Sequence, residues 1–108
     1  MSDFIQVFTT TSRKEEADTI AAALVDRRLA ACVQVVGPMT SVYRWQGKVE
    51  TSQEWLCVIK SRESLYPALE EAIEELHSYE VPEIVALPIV AGSAAYLSWL
   101  EREVKPAN

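Results

Sequence analysis

A chain of 108 residues, 49% apolar and 24% charged, suffices for one domain around a single modest core and leaves no room for a second. Its net charge of −6, with Lys and Arg scattered along it, argues against nucleic-acid or anionic-membrane surfaces, which select clustered basic residues. No apolar run approaches a membrane span, and MSDFIQVF lacks the basic start and long apolar core of a secretion signal, so a cytoplasmic location is expected.

Phe4 to Thr10 is short, apolar and rich in β-formers, which predicts a strand buried on both faces. Ser12-Arg-Lys-Glu15 has the spacing of a capping box. The helix it predicts carries Ala17, Ile20, Ala21, Leu24 and Val25 as an apolar stripe and ends near Arg28.

From Ala30 to Ser61 the pattern predicts an unusually long β-hairpin. Two β-rich arms, ACVQVVGPMTSVYRW and KVETSQEWLCVIK, flank Gln46-Gly47, and Gly readily takes the positive φ of a tight turn. A two-residue turn sets Trp45 opposite Lys48, Tyr43 opposite Glu50, Met39 opposite Glu54 and Val36 opposite Cys57. Arms of about thirteen residues reach roughly 40 Å, while a domain of this size has a radius of gyration of about 13 Å. The outer half therefore projects, still carrying Met39, Val42, Tyr43, Trp45 and Trp55, and another copy of the chain is the simplest cover. Gly37-Pro38 predicts a bend in an edge strand, because Pro cannot donate to a ladder. In this register Cys32 and Cys57 lie about 10 Å or more apart, so both read as free thiols, small residues of a core.

Ser61 or Ser64 can cap a second helix, with Pro67 tolerated in its first turn. Leu65, Leu69, Ala72, Ile73 and Leu76 form its stripe, while Glu70, Glu71, Glu74 and Glu75 read as its solvated face. Glu83 to Leu87, between Pro82 and Pro88, predicts an edge strand. Ser93 caps a last helix, with Tyr96, Leu97, Leu100 and Val104 facing inward. The fold class is therefore α+β: a ferredoxin-like βαββαβ antiparallel sheet over residues 1–108, with a projecting hairpin and an extra C-terminal helix. Its spatial order, 4-1-3-2, places the two proline-bearing strands at the edges.

LAACVQVV, SVYRWQGKVE, Glu54, Ile59-Lys60-Ser61, HSYEVPEIVALPI and YLSWL resemble, in order and spacing, the CutA divalent-cation tolerance family over nearly the whole chain. The resemblance implies a tight homotrimer whose hairpins run between neighbours, similar in architecture to the PII signalling proteins with their inter-subunit ligand clefts. It also implies a cytoplasmic role in the response to divalent metal ions, copper above all. His77-Ser78-Tyr79 departs from the usual His-Pro-Tyr. Thr9 and Leu76 stand where some copper-linked members have a cysteine and a second histidine.

His77, the only histidine, reads either as a group at a helix C-terminus, where the dipole favours it, or as a metal ligand in a cleft. Glu54, Lys60 and Tyr79 are the other cleft candidates. For Glu54 the alternative is an ion pair with Lys60 or Arg44 of a neighbour. Tyr43, Trp45 and Trp55 are expected at the interface, since Tyr and Trp favour interface cores. Copper or another divalent cation is the candidate cofactor, and a small molecule the other candidate ligand. There is no catalytic triad order, phosphate loop or Cys-x-x-Cys, and only 3 Gly, so no catalysis is expected. The alternative function is a structural or adaptor trimer without a ligand, docking a partner protein.

Overall fold

The central strand β1 (Phe4–Thr11) lies between β3 (Lys48–Arg62) and β4 (Val85–Pro88), and β2 (Cys32–Trp45) completes a sheet of order β2-β3-β1-β4. The computed structural model describes residues 3–106. Helices α1 (Lys14–Asp26) and α2 (Tyr66–Leu76) follow β1 and β3, and α3 (Ala94–Glu103) follows β4. All three strand pairings are antiparallel, giving the split βαβ arrangement expected from the element order.

One face of the sheet makes the core. Ile5 and Val7 of β1 and Cys57 and Ile59 of β3 meet Ala17, Ile20 and Leu24 of α1 and Leu69, Ala72 and Ile73 of α2. The expectation that β1 is buried on both faces is corrected: Ile5, Val7, Thr9 and Thr11 are buried, whereas Phe4, Gln6 and Phe8 of the alternate face are half-buried. Single-face cover is what helices on one side of an antiparallel sheet produce. The other face, which α3 reaches at Phe4, also carries Leu56 and Val58 of β3, paired with Thr10 and Phe8, and the exposed Val36, Val85 and Leu87. A second cluster, Ala31, Leu65, Leu100 and Val104, seats α3 at one end.

Two expected caps are absent. α1 starts after Arg13 with no side-chain cap, so Ser12 and Glu15 are out of capping-box phase. Ser61 belongs to β3, where its hydroxyl donates to the Leu29 carbonyl at 2.7 Å, and Ser64 lies in the 3₁₀ turn Glu63–Leu65 before α2. The Ser93 cap is present, accepting from the Tyr96 amide. α1 closes in a Schellman pattern, with Leu29 N–H on the Leu24 carbonyl and Arg28 N–H on that of Val25. Arg28 takes the left-handed conformation there, φ 59°. Its guanidinium donates to the Arg102 and Glu103 carbonyls and so closes α3 as well.

The hairpin turns at Gln46 and Gly47, both at positive φ (52° and 82°), the I′ pattern whose twist matches that of the strands. From Trp45↔Lys48 to Met39↔Glu54 the register is the expected one. At the cis Gly37-Pro38 bend it slips. Val36 then pairs with Leu56 and Val35 with Cys57, correcting the expected Val36↔Cys57 pair. Two residues of β2 oppose one of β3 at this bulge, which exchanges the valines that face the core. Cys32 and Cys57 consequently sit on opposite faces, both free. The hairpin stretches the molecule to 44 × 25 × 22 Å.

Candidate functional site

Where β1 ends, β3 continues into the hairpin, and loop 77–84 crosses this step on its way from α2 to β4. The cleft so formed has a volume of about 590 Å³ and is lined by Ser41, Val42, Tyr43 and Trp45 of β2, Thr10, Glu54, and Tyr79, Glu80, Val81 and Glu83 of the loop. Its wall holds aromatic faces and three carboxylates and no basic side chain.

His77 fixes the loop. Its imidazole is 0% exposed. Nε2–H donates to the Thr10 carbonyl at 2.6 Å, and Nδ1 accepts from the Tyr79 amide at 3.1 Å. The Glu16 carboxylate accepts from the Ser78 amide at 2.7 Å and from its hydroxyl at 3.1 Å, with Oε2 lying 3.7 Å from His77 Nδ1. Thus α1, β1 and the loop are tied together at one histidine. The sequence pattern placed Glu16 merely off the apolar stripe; its partner is 62 residues away, where no local periodicity reaches.

The anchored loop delivers Tyr79 to Glu54, hydroxyl donating to Oε2 at 2.6 Å. Glu54 is only 7% exposed. Among the described residues no Lys or Arg pairs with it. Burial first, then the bond to Glu54 and the nearby negative charges, push the Tyr79 hydroxyl well above the ordinary phenol range, so it remains the donor. Tyr43 contributes a second hydroxyl, 3.3 Å from Ser52 Oγ.

The sequence candidates therefore divide. Glu54, Tyr79, Tyr43 and Trp45 share the cleft wall, with His77 behind the loop. Lys60 lies on the same sheet face six residues along β3 from Glu54, roughly 20 Å away, donating to Gln34. Trp55, grouped with the interface aromatics in the sequence, packs against the core on the helix face.

A divalent cation does not fit the side chains of one chain as they stand. Both His77 nitrogens are in use, and among the described residues no three His, Cys, Asp or Glu groups converge on a point. Thr9 is fully buried on the helix face opposite Cys57, and its hydroxyl has no partner among the described residues.

Fold and site together define a class: a ferredoxin-like α+β domain with an overlong hairpin and an acidic, aromatic cleft at the hairpin's root. The model of the CutA1 divalent ion tolerance protein family matches residues 5–103, and the chain belongs to that family. It is 52% identical over 94 residues to the divalent-cation tolerance protein CutA of Thermus thermophilus, covering 87% of this chain and 91% of that one. Rice chloroplastic CutA 1 is 45% identical over 101 residues, covering 94% of this chain, which spans 57% of the rice protein. The solved T. thermophilus structure superposes with a TM-score of 0.92 at 48% identity, covering 94% and 99% of the two chains. The CutA of Xylella fastidiosa gives 0.93 at 38% identity, covering 96% and 100%. The family's description names ion tolerance and no catalysis. No helix among the described residues is long and apolar enough to cross a membrane.

Proposed function

We propose that the chain acts in divalent-cation tolerance as a homotrimer, holding a cation, with copper the first candidate, or a small ligand in clefts at the subunit boundaries. The observation that carries this reading is Glu54: a buried carboxylate on the wall of a cleft, held by one phenol and paired with no Lys or Arg among the described residues. A buried charge of this kind calls for a partner from outside the chain. The uncovered sheet face and the projecting tip supply apolar surface for self-association. The cytoplasm is part of the proposal, although relatives are named for the chloroplast and the periplasm.

In this reading His77 positions the loop, and to ligate a metal it must give up one of its two hydrogen bonds. The test is a calorimetric titration of metal-free protein with copper, with light scattering on the same sample. Saturable binding near one ion per chain to a trimer, weakened by Glu54→Gln, is expected. An intact trimer with no saturable ligand would favour the adaptor reading, with the exposed hairpin tip as its docking surface.

A further inference from the structure

Two successive backbone amides of loop 77–84 are captured by side chains from different directions. Ser78 N–H donates to Glu16 Oε2 at 2.7 Å, and the Ser78 hydroxyl donates to Oε1 at 3.1 Å. Tyr79 N–H donates to His77 Nδ1 at 3.1 Å. With both peptide groups held, the Tyr79 side chain leaves the loop in a fixed direction. Its ring lies 4.7 Å from that of His77, and its hydroxyl reaches Glu54.

Glu16 is the charged member of this set. It sits in the first turn of α1, where the helix dipole favours a carboxylate. Its side chain is 11% exposed, and among the described residues no Lys or Arg pairs with it. Both of its oxygens are spent on Ser78, and an ionised acceptor makes each such bond stronger than a neutral one would. The link exists because residue 78 is serine. His77 is extended (φ −87°, ψ 142°), a conformation that a following proline also accepts, but proline has no amide to donate.

We propose that Glu16 is a positioning residue for the cleft: from α1, through Ser78, it holds loop 77–84 in the place that sets Tyr79 on Glu54. This rests on the cleft being a functional site, and it names the group outside the cleft that shapes it. Every contact involved lies within one chain, and those of Glu16 are on the side of the loop turned to α1, so the positioning does not depend on what covers the hairpin.

The test follows amide hydrogen exchange and side-chain carbon shifts in isotope-labelled full-length protein in its native assembly. In Glu16→Ala the Ser78 and Tyr79 amides should exchange about tenfold to a hundredfold faster. The Tyr79 Cζ resonance should move as its hydroxyl loses Glu54, while the Ile59 amide in the core keeps its rate. Glu16→Gln keeps an acceptor for the Ser78 amide and should retain most of the protection. Ser78→Pro removes the donor, so a further Glu16→Ala should leave Tyr79 unchanged. Unaltered exchange at Ser78 and Tyr79 in Glu16→Ala overturns the proposal. So does acceleration shared equally by Ile59, which makes Glu16 a contributor to global stability only. An effect of Glu16→Ala that persists beside Ser78→Pro overturns the route through Ser78. None of these readouts needs a ligand, and the copper titration decides the cleft separately. An intact trimer that binds nothing, with these shifts present, fails the reading of the cleft and not the positioning by Glu16.

Discussion

The two halves of the hairpin have similar composition and opposite circumstances. At the base, Cys57 and Ile59 are fully buried beneath α1 and α2. At the tip, Val42 and Val49, no less apolar, are 66% and 63% exposed. Both halves are regular antiparallel ladder, so within one chain the pairing runs on past the point where burial ends, with the I′ turn and the β-formers of the arms favouring it. Burial depends on what else the fold brings to the face. Between the halves lies the Gly37-Pro38 bulge, and beside it the cleft, where core gives way to projecting surface.

The sharpest test of this contrast is Ile59→Ala, which leaves a cavity under both helices and should cost about 2–5 kcal/mol in urea unfolding. The junction should be next. At Gly37 an added Cβ would lie 2.8 Å from Trp55 Cγ, so Gly37→Ala should cost about 1–3 kcal/mol through overpacking. It should also disturb the cleft, visible as shifted Tyr79 and Glu54 amides.

At alkaline pH the base is probed through Cys57. Burial, with the charges of Asp18 and Glu16 adding to it, raises the Cys57 thiol from 9.0 to about 11. The unfolded chain then releases this proton first, so the contribution is complete below pH 9.0 and lost as pH rises through about 11. Stability should fall across that window by on the order of 1–2 kcal/mol, and Cys57→Ala should flatten the decline. The smallest effect is Val42→Ala, expected within about 0.5 kcal/mol for an exposed site. A loss above about 1.5 kcal/mol that grows with protein concentration would show instead that the tip is buried against another copy.

Much of this was legible beforehand, for identifiable reasons. The hairpin, its turn, the edge positions of the proline-bearing strands and the α1 and α2 stripes are local patterns of period two or 3.6. The errors are local patterns overridden from a distance. Ser61 looked like a cap and is a buried strand residue bonded to Leu29. Val36 looked paired with Cys57, but the bulge added one residue and turned it outward. Within the cleft, Glu54 and Tyr79 were marked as single residues, but their hydrogen bond crosses 25 positions.

The sequence by itself determined the element order, the fold class and the family, because periodicity, turn chemistry and motif spacing are written along the chain. Only the tertiary structure decided which of the candidate residues meet within the chain. It spent both nitrogens of His77 on Thr10 and Tyr79, set Tyr79 against Glu54, and put Lys60 and Trp55 elsewhere. A side chain's chemistry depends on which donors, acceptors and charges surround it, and those neighbours arrive from α1, β1, β3 and the loop only when the chain has folded.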